Sequence, residues 1–182
     1  MSVFGDTVDR LARDVRALPT RGQVALFLTA AIVLADARPD WLRTQNRISD
    51  GVFEESLAAA ADFACGRLSS IPRQLVSAIE TVVMSELSEE GASTTVQDCC
   101  ICLDSAVRGP SEGYDMASAS WYMLEPLFRS VSARLFGAAD VGSDSEEDAE
   151  LVMLEDPVLR QGLSAVEFSI GQVSANPIDD LL

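Results

Sequence analysis

The 182-residue sequence contains neither histidine nor lysine, so all 13 of its basic side chains are arginines. The missing histidine excludes a Ser-His-Asp or Cys-His catalytic centre built from this chain. It also excludes histidine metal ligands and the commonest general base near neutral pH. The missing lysine has a simpler explanation, which is a preference for arginine codons in a GC-rich genome. These absences restrict the possible catalytic chemistry far more than they restrict binding.

Cysteine is scarce, and the four cysteines are Cys65, Cys99, Cys100 and Cys102. With no histidine to complete a zinc site, we expect no metal and no cofactor, and we expect reduced, mostly buried thiols. Asp98 and Asp104 share the predicted helix of the last three cysteines, but with no histidine or lysine nearby and several acids present, a thiolate is disfavoured. Glycine-rich phosphate loops are also missing. The sequence therefore predicts no catalytic residues and no enzyme.

Long apolar runs are missing as well. The most apolar stretch, residues 24–34, has 11 residues, whereas a bilayer-spanning helix needs about 20. The N-terminus lacks the basic start and apolar run of a secretion signal. We therefore predict a cytoplasmic protein without a membrane span.

Helix-period patterns and helix punctuation recur along the chain, which predicts an all-α fold. We expect residues 1–182 to form one domain, a bundle of about seven to eight helices, ending in a short tail at 174–182. Pro126 should kink or divide a long helix over 115–136 near Leu124, because proline lacks an amide hydrogen. The other predicted helices cover residues 3–18, 21–37, 52–64, 72–88, 94–107 and 157–173, with Ser49 or Asp50 capping the third and a short helical segment near 39–41.

The negative charge is confined to the second half of the chain. Residues 1–75 carry nine acids and nine arginines, whereas residues 76–182 carry 20 acids and four arginines and account for the whole net charge of −16. Such an electronegative surface attracts basic partners and repels nucleic acid and anionic lipid. We therefore expect a basic protein partner, no nucleic acid and no membrane. Arg10, Arg13 and Arg16 form a local stripe that we expect to pair with Asp6, Asp9 and Asp14.

Eight of the 20 acids lie between Asp140 and Asp156, with no arginine among them. The segment at about 140–150 reads as a mobile loop, or as a helix from Ser145 onward with Ser145 as its cap. A calcium loop starting at Asp140 is not predicted, because Ser145 and Leu151 replace its required glycine and glutamate. A solvated loop without a partner is the alternative to binding. The candidate partner-binding residues are Asp140, Asp144, Glu146, Glu147, Asp148, Glu150 and Glu155, together with the aromatic residues Trp121 and Tyr122.

Short motifs in the chain suggest relatives. The succession of Leu18-Pro19, Gln23-Val24-Ala25-Leu26-Phe27, Arg38-Pro39-Asp40-Trp41 and Val96-Gln97-Asp98-Cys99-Cys100-Ile101-Cys102-Leu103 resembles the YjaG-like family of small all-helical bacterial proteins of unassigned function, over roughly residues 10 to 136. The size, helical build and acidity are also similar to those of helical immunity proteins of bacterial polymorphic toxin systems, which bind and block a cognate toxin.

Three functional hypotheses follow. The first is a non-catalytic, immunity-type antagonist that neutralises a basic toxin or effector through the acidic second half of the chain. The alternative is a helical scaffold or regulatory subunit that forms a homo-oligomer through a helix face. The third is an enzyme that uses carboxylates, which would require a deep pocket with converging acids.

Overall fold

The structure, a computed structural model, describes residues 3–36, 40, 51–88, 94–111, 114–136 and 146–175. Helices make up 86% of these residues, and no strand occurs among them, which confirms the predicted all-α fold. The eight α-helices are α1 (Val3–Arg16), α2 (Thr20–Asp36), α3 (Val52–Ala64), α4 (Arg73–Ser88), α5 (Thr94–Arg108), α6 (Glu125–Phe136), α7 (Glu146–Glu155) and α8 (Pro157–Ala175), and a 3₁₀-helix (Met116–Met123) precedes α6. In the described part of the chain, no helix is long and apolar enough to cross a membrane.

The main core is built around α2 and α5, which pack along each other more extensively than any other described pair of helices. Helix α5 is buried around most of its circumference, because α2, α3, α4, α6 and the 3₁₀-helix all contact it. Its cysteines and small residues suit this position, since they allow neighbouring helices to approach closely. Phe27 of α2 and Phe53 of α3 are fully buried in the same core.

A second, smaller core joins the three C-terminal helices. It consists of Val131 from α6, Met153 from α7 and Leu159 from α8, surrounded by partly buried apolar side chains. Leu163 packs against both cores. The C-terminal helices therefore form a layer with its own apolar contacts, and this layer is packed onto the main bundle.

The predicted division of the helix over 115–136 at Leu124 is confirmed, but the part before it is a 3₁₀-helix instead of an α-helix. Pro126 falls in the first turn of α6, where its missing amide hydrogen does no harm. Before the break, the hydroxyls of Ser118 and Ser120 donate to backbone carbonyls three residues earlier, which competes with α-helical hydrogen bonding. Asp115 caps the segment by accepting a hydrogen bond from the Ala117 amide at 3.2 Å.

Two other predicted details of helix ends were wrong. The N-cap of α3 is Gly51 with φ 82°, instead of Ser49 or Asp50, and it makes no side-chain cap hydrogen bond. Glycine suits this position because its left-handed conformation is strained for other residues. Helix α8 continues to Ala175, two residues beyond the expected end. The short helical segment expected near 39–41 and the tail after Ala175 lie outside the described residues, apart from Asp40, which is helical.

A tight corner holds the acidic helix α7 against α8, with only Asp156 between them. The Asp156 carboxylate accepts a hydrogen bond from the Val158 amide at 2.9 Å, and it forms an ion pair with Arg134 of α6. Arg160 donates to the carbonyl of Leu154 at 3.2 Å, which satisfies a group at the end of α7. This corner confirms the helix start predicted from Asp156-Pro157, and it fixes the direction in which α7 leaves the bundle.

Candidate partner-binding surface

The outward face of α7 presents two apolar side chains, with one acid before them and one acid after them along the helix. Asp148, Leu151, Val152 and Glu155 follow the spacing i, i+3, i+4, i+7, which places them on one side of the helix. Leu151 is 46% exposed and Val152 is 50% exposed, while Met153 on the opposite side is buried in the smaller core. We call these four residues the α7 face. It is one helix turn of apolar surface bounded by carboxylates.

Charge on the α7 face is available to a partner because other acids of the second half are already paired. The described ion pairs of these acids join Asp98 and Glu125 to Arg129, Asp104 and Glu80 to Arg108, Asp115 to Arg16, Asp156 to Arg134, and Glu167 to Arg10. Among the described residues, no cation pairs with Asp148 or Glu155. The uncompensated negative charge of the described second half is therefore concentrated at α7.

Two of these ion pairs correct an expectation about the arginine stripe of α1. Arg10 pairs with Glu167 of α8 at 2.9 Å, and Arg16 pairs with Asp115 at 2.7 Å. The described partners thus lie on other elements instead of on α1 itself. Arg10 and Arg16 therefore hold the N-terminal helix to the C-terminal half of the chain.

The structure brings together only some of the predicted site residues. Asp148 and Glu155 share the α7 face, whereas Glu150 is half-buried at the side of the helix and makes an interaction there. Glu146 and Glu147 lie in the first turn of α7. Asp140 and Asp144 lie outside the described residues, so the predicted loop over 140–150 is described only from Glu146, where it is helical.

Of the two aromatic candidates, Trp121 lies near the inner side of α7, whereas Tyr122 packs elsewhere. Trp121 is half-buried, with its ring edge-on to Phe128 at 5.3 Å between centroids. It also lines a small apolar cavity of about 10 Å³ together with Leu154 of α7 and Leu163 of α8. Tyr122 is half-buried as well and packs against the main core. Trp121 thus supports the inner side of α7, and its interior packing leaves less of the ring for a partner.

Leu151 and Val152 were missed from the sequence. Their signal was present, because they follow Asp148 by three and four residues and precede Glu155 by four and three. This spacing can be interpreted as an exposed face only when residues 146–155 are known to be helical and Met153 is known to point inward.

A buried carboxylate connects α5 to α6. Arg129 forms an ion pair with Asp98, and the same guanidinium lies 3.5 Å from Glu125. Burial raises the pKa of Asp98 to about 6, with Arg129 opposing the shift and Glu125 adding to it. The ion pair between Asp98 and Arg129 therefore joins α5 of the main bundle to α6 of the C-terminal layer.

A second cluster surrounds Arg108 at the end of α5. Its guanidinium reaches Glu80 at 3.1 Å and Asp104 at 3.5 Å, and it lies 5.0 Å from the centroid of the Tyr114 ring. Burial raises the pKa of Asp104, with Arg108 opposing the shift. Among the residues that the structure describes, a nearby cleft of about 560 Å³ is lined by hydroxyls, apolar side chains and Arg73, with no carboxylate. The two acids of the cluster are therefore held by Arg108 instead of converging on that cleft.

Cys99 and Cys102 have the spacing of a Cys-x-x-Cys pair on one face of α5. Both are buried, and burial raises the pKa of each thiol. The Cys99 thiol donates to the carbonyl of Ala31 at 3.3 Å. Because reactive thiols need a lowered pKa and access to solvent, these two are suited to packing. The described residues contain no group of three or more cysteines and acids arranged to hold a metal ion.

Comparisons with known proteins found no protein-family model, no curated protein and no solved structure that matches this chain. The functional argument therefore depends on the chain's own surfaces.

Proposed function

We propose that this chain is a non-catalytic, cytoplasmic binding protein that neutralises a basic toxin or effector, in the manner of an immunity protein. The observation that carries the proposal is the α7 face, in which exposed Leu151 and Val152 lie between the unpaired carboxylates of Asp148 and Glu155. Toxins that act on nucleic acid or nucleotides need basic surfaces to hold phosphate groups. An acidic antagonist can cover such a surface directly.

The two kinds of side chain on the α7 face serve different steps of binding. The carboxylates, together with the overall charge of −16, speed encounter with a basic surface through long-range attraction. The apolar pair removes surface from water once the partner has docked, which slows dissociation. A suitable partner surface therefore combines arginine or lysine side chains with an apolar patch.

The α7 face is also pre-organised. Met153 and Leu154 anchor the helix from inside, and the Asp156 corner fixes its end. Ordering a loop on binding would cost conformational entropy, which a helix that is already packed avoids. This support distinguishes the α7 face from a merely solubilising acidic segment.

The test is a charge reversal with a matched control. The immunity role predicts that the gene immediately upstream encodes a protein with a basic C-terminal domain. That domain is the probe, and its binding to the full chain is measured by calorimetry at several salt concentrations. Asp148→Arg combined with Glu155→Arg should weaken binding at least about tenfold and reduce the salt dependence of affinity. The control, Asp36→Arg with Glu55→Arg, changes the net charge equally at two exposed acids of α2 and α3. It should retain most of the affinity.

Equal losses in both double variants would show that only net charge matters, and would remove α7 as the contact. Unchanged affinity after the α7 reversal would have the same consequence. If the upstream product neither binds the chain nor loses its toxicity when the chain is co-expressed, the immunity role itself is contradicted.

A further inference from the structure

A second surface of the molecule is apolar, and the described residues that line it are uncharged. A groove of about 210 Å³ runs between α2 and α8. Its lining includes Leu26 and Leu34 of α2, Met123 of the 3₁₀-helix, Val166 of α8, and the hydroxyls of Thr29 and Ser169. Both hydroxyls donate to carbonyls of their own helices, at 2.8 Å and 2.9 Å. An occupant of this groove therefore gains by being apolar.

Large apolar side chains stand exposed beside the same groove. Val33 lines it and is 62% exposed, and Phe168 is 66% exposed. Phe168 does not line the groove, but it follows the lining residue Ala165 by three positions, a spacing that places the two residues next to each other on the surface of α8. One face of the molecule thus carries both an apolar projection and an apolar depression.

We infer that this face binds a second copy of this chain. In a two-fold symmetric pair, the same patch is used by both molecules, so projection and depression must occur together on one surface. The two α8 helices run antiparallel in this arrangement, and Phe168 of each copy enters the groove of the other. Both exposed rings are then removed from water by a single interface.

The distribution of charge favours a second copy over a basic partner here. Residues 22–35 contain no charged side chain, and Glu167 of α8 is already paired with Arg10 at 2.9 Å. No carboxylate occurs among the described residues that line the groove, so these residues offer a basic partner no ion pair. Antiparallel pairing also separates the acidic α7 helices, because α8 begins eight residues before Ala165, or about 12 Å along the helix. The two acidic ends then lie more than about 20 Å apart, beyond the screening length of about 8 Å at physiological salt.

Sedimentation equilibrium of the full chain tests the inference. Over about 1–100 μM protein we expect a monomer–dimer equilibrium that is tighter at about 0.5 M than at about 0.05 M salt, because screening reduces repulsion between two acidic molecules. Phe168→Asp and Val33→Asp should each raise the dimer dissociation constant at least about 100-fold, since each substitution occurs twice in the interface. Met84→Asp is the control, because Met84 is 60% exposed on α4 and should leave the dimer unchanged.

A wild-type chain that stays monomeric throughout this range at high salt overturns the inference. So does undiminished dimerisation of both the Phe168 and Val33 variants, with helical content confirmed by circular dichroism. The outcome is independent of the proposed antagonism, because none of these substitutions alters the α7 face.

Discussion

At the residue scale, burial decides which ionisable side chains of this molecule can react. Cys99, Cys100 and Cys102 are enclosed by the main core, while Cys65 at the end of α3 is exposed. We expect a chromogenic thiol reagent to modify one thiol quickly in the native protein and all four in denaturant, because the other three require unfolding to become accessible. Cys65→Ser should abolish the fast reaction. A second fast thiol in that variant would show that α5 opens readily.

The buried carboxyls should give the stability of the fold an unusual pH dependence. The raised pKa values of Asp98 and Asp104 mean that the folded state holds these protons more tightly than the unfolded state does. Their contribution to the free energy of unfolding is therefore complete below about pH 4 and is lost as the pH rises. For Asp98 the loss occurs as the pH passes through its folded-state pKa of about 6. We expect the free energy of unfolding in urea to fall across this window, and to fall less steeply in Asp98→Asn.

Asp156 provides the internal comparison for that measurement. Arg134 holds its pKa below the ordinary value, so its stabilising contribution exists above about pH 4 and is lost as pH falls further. Asp156→Asn should therefore lower the free energy of unfolding above about pH 4 and flatten its pH dependence below that value, while it keeps the slope between about pH 4 and 6. If Asp98→Asn leaves that slope unchanged, the Asp98 carboxyl does not titrate as its burial implies.

At the scale of elements, close approach between helices depends on particular glycines. A Cβ atom at Gly109, just after α5, would lie 2.0 Å from the sulfur of Met116 and within 2.7 Å of two further atoms of that side chain. Met116 is buried and has little room to move. Gly109→Ala should therefore destabilise the fold by about 1–3 kcal/mol, measured by urea denaturation.

Gly171 is the matched control for this substitution. It lies within α8, and a Cβ atom there would meet nothing within 4 Å. Gly171→Ala should stabilise the protein by about 0.5–1 kcal/mol, because alanine favours the helix. Equal effects of the two substitutions would mean that helix propensity outweighs packing at the α5 terminus.

At the scale of the whole molecule, the net charge of −16 acts oppositely on the two proposed contacts. Salt should weaken binding of a basic partner to the α7 face, since it screens attraction, and should strengthen pairing through the α2–α8 groove, since it screens repulsion. The two contacts use different surfaces, so a dimer can present both α7 faces outward. Measuring both equilibria against salt concentration separates them without any substitution.

Helix class and most helix positions could be predicted from the sequence, because these depend on signals only a few residues long. Pro126 and Asp156-Pro157 place breaks by local sterics and capping, and the apolar spacing within each segment marks a helix regardless of what it packs against. The concentration of acids in the second half is likewise a property of the chain itself.

Which side of each helix stays in water was decided only by the tertiary structure. From the sequence alone, Leu151, Val152 and Met153 could each be the core residue of α7, and the fold buries Met153. Arg10 has acids close to it on α1, but in the fold it pairs with Glu167 of α8 at 2.9 Å. The α2–α8 groove likewise joins segments more than 100 residues apart in sequence. Packing of distant segments selects these faces, and local patterns do not encode it because several faces of one helix can satisfy the same spacing.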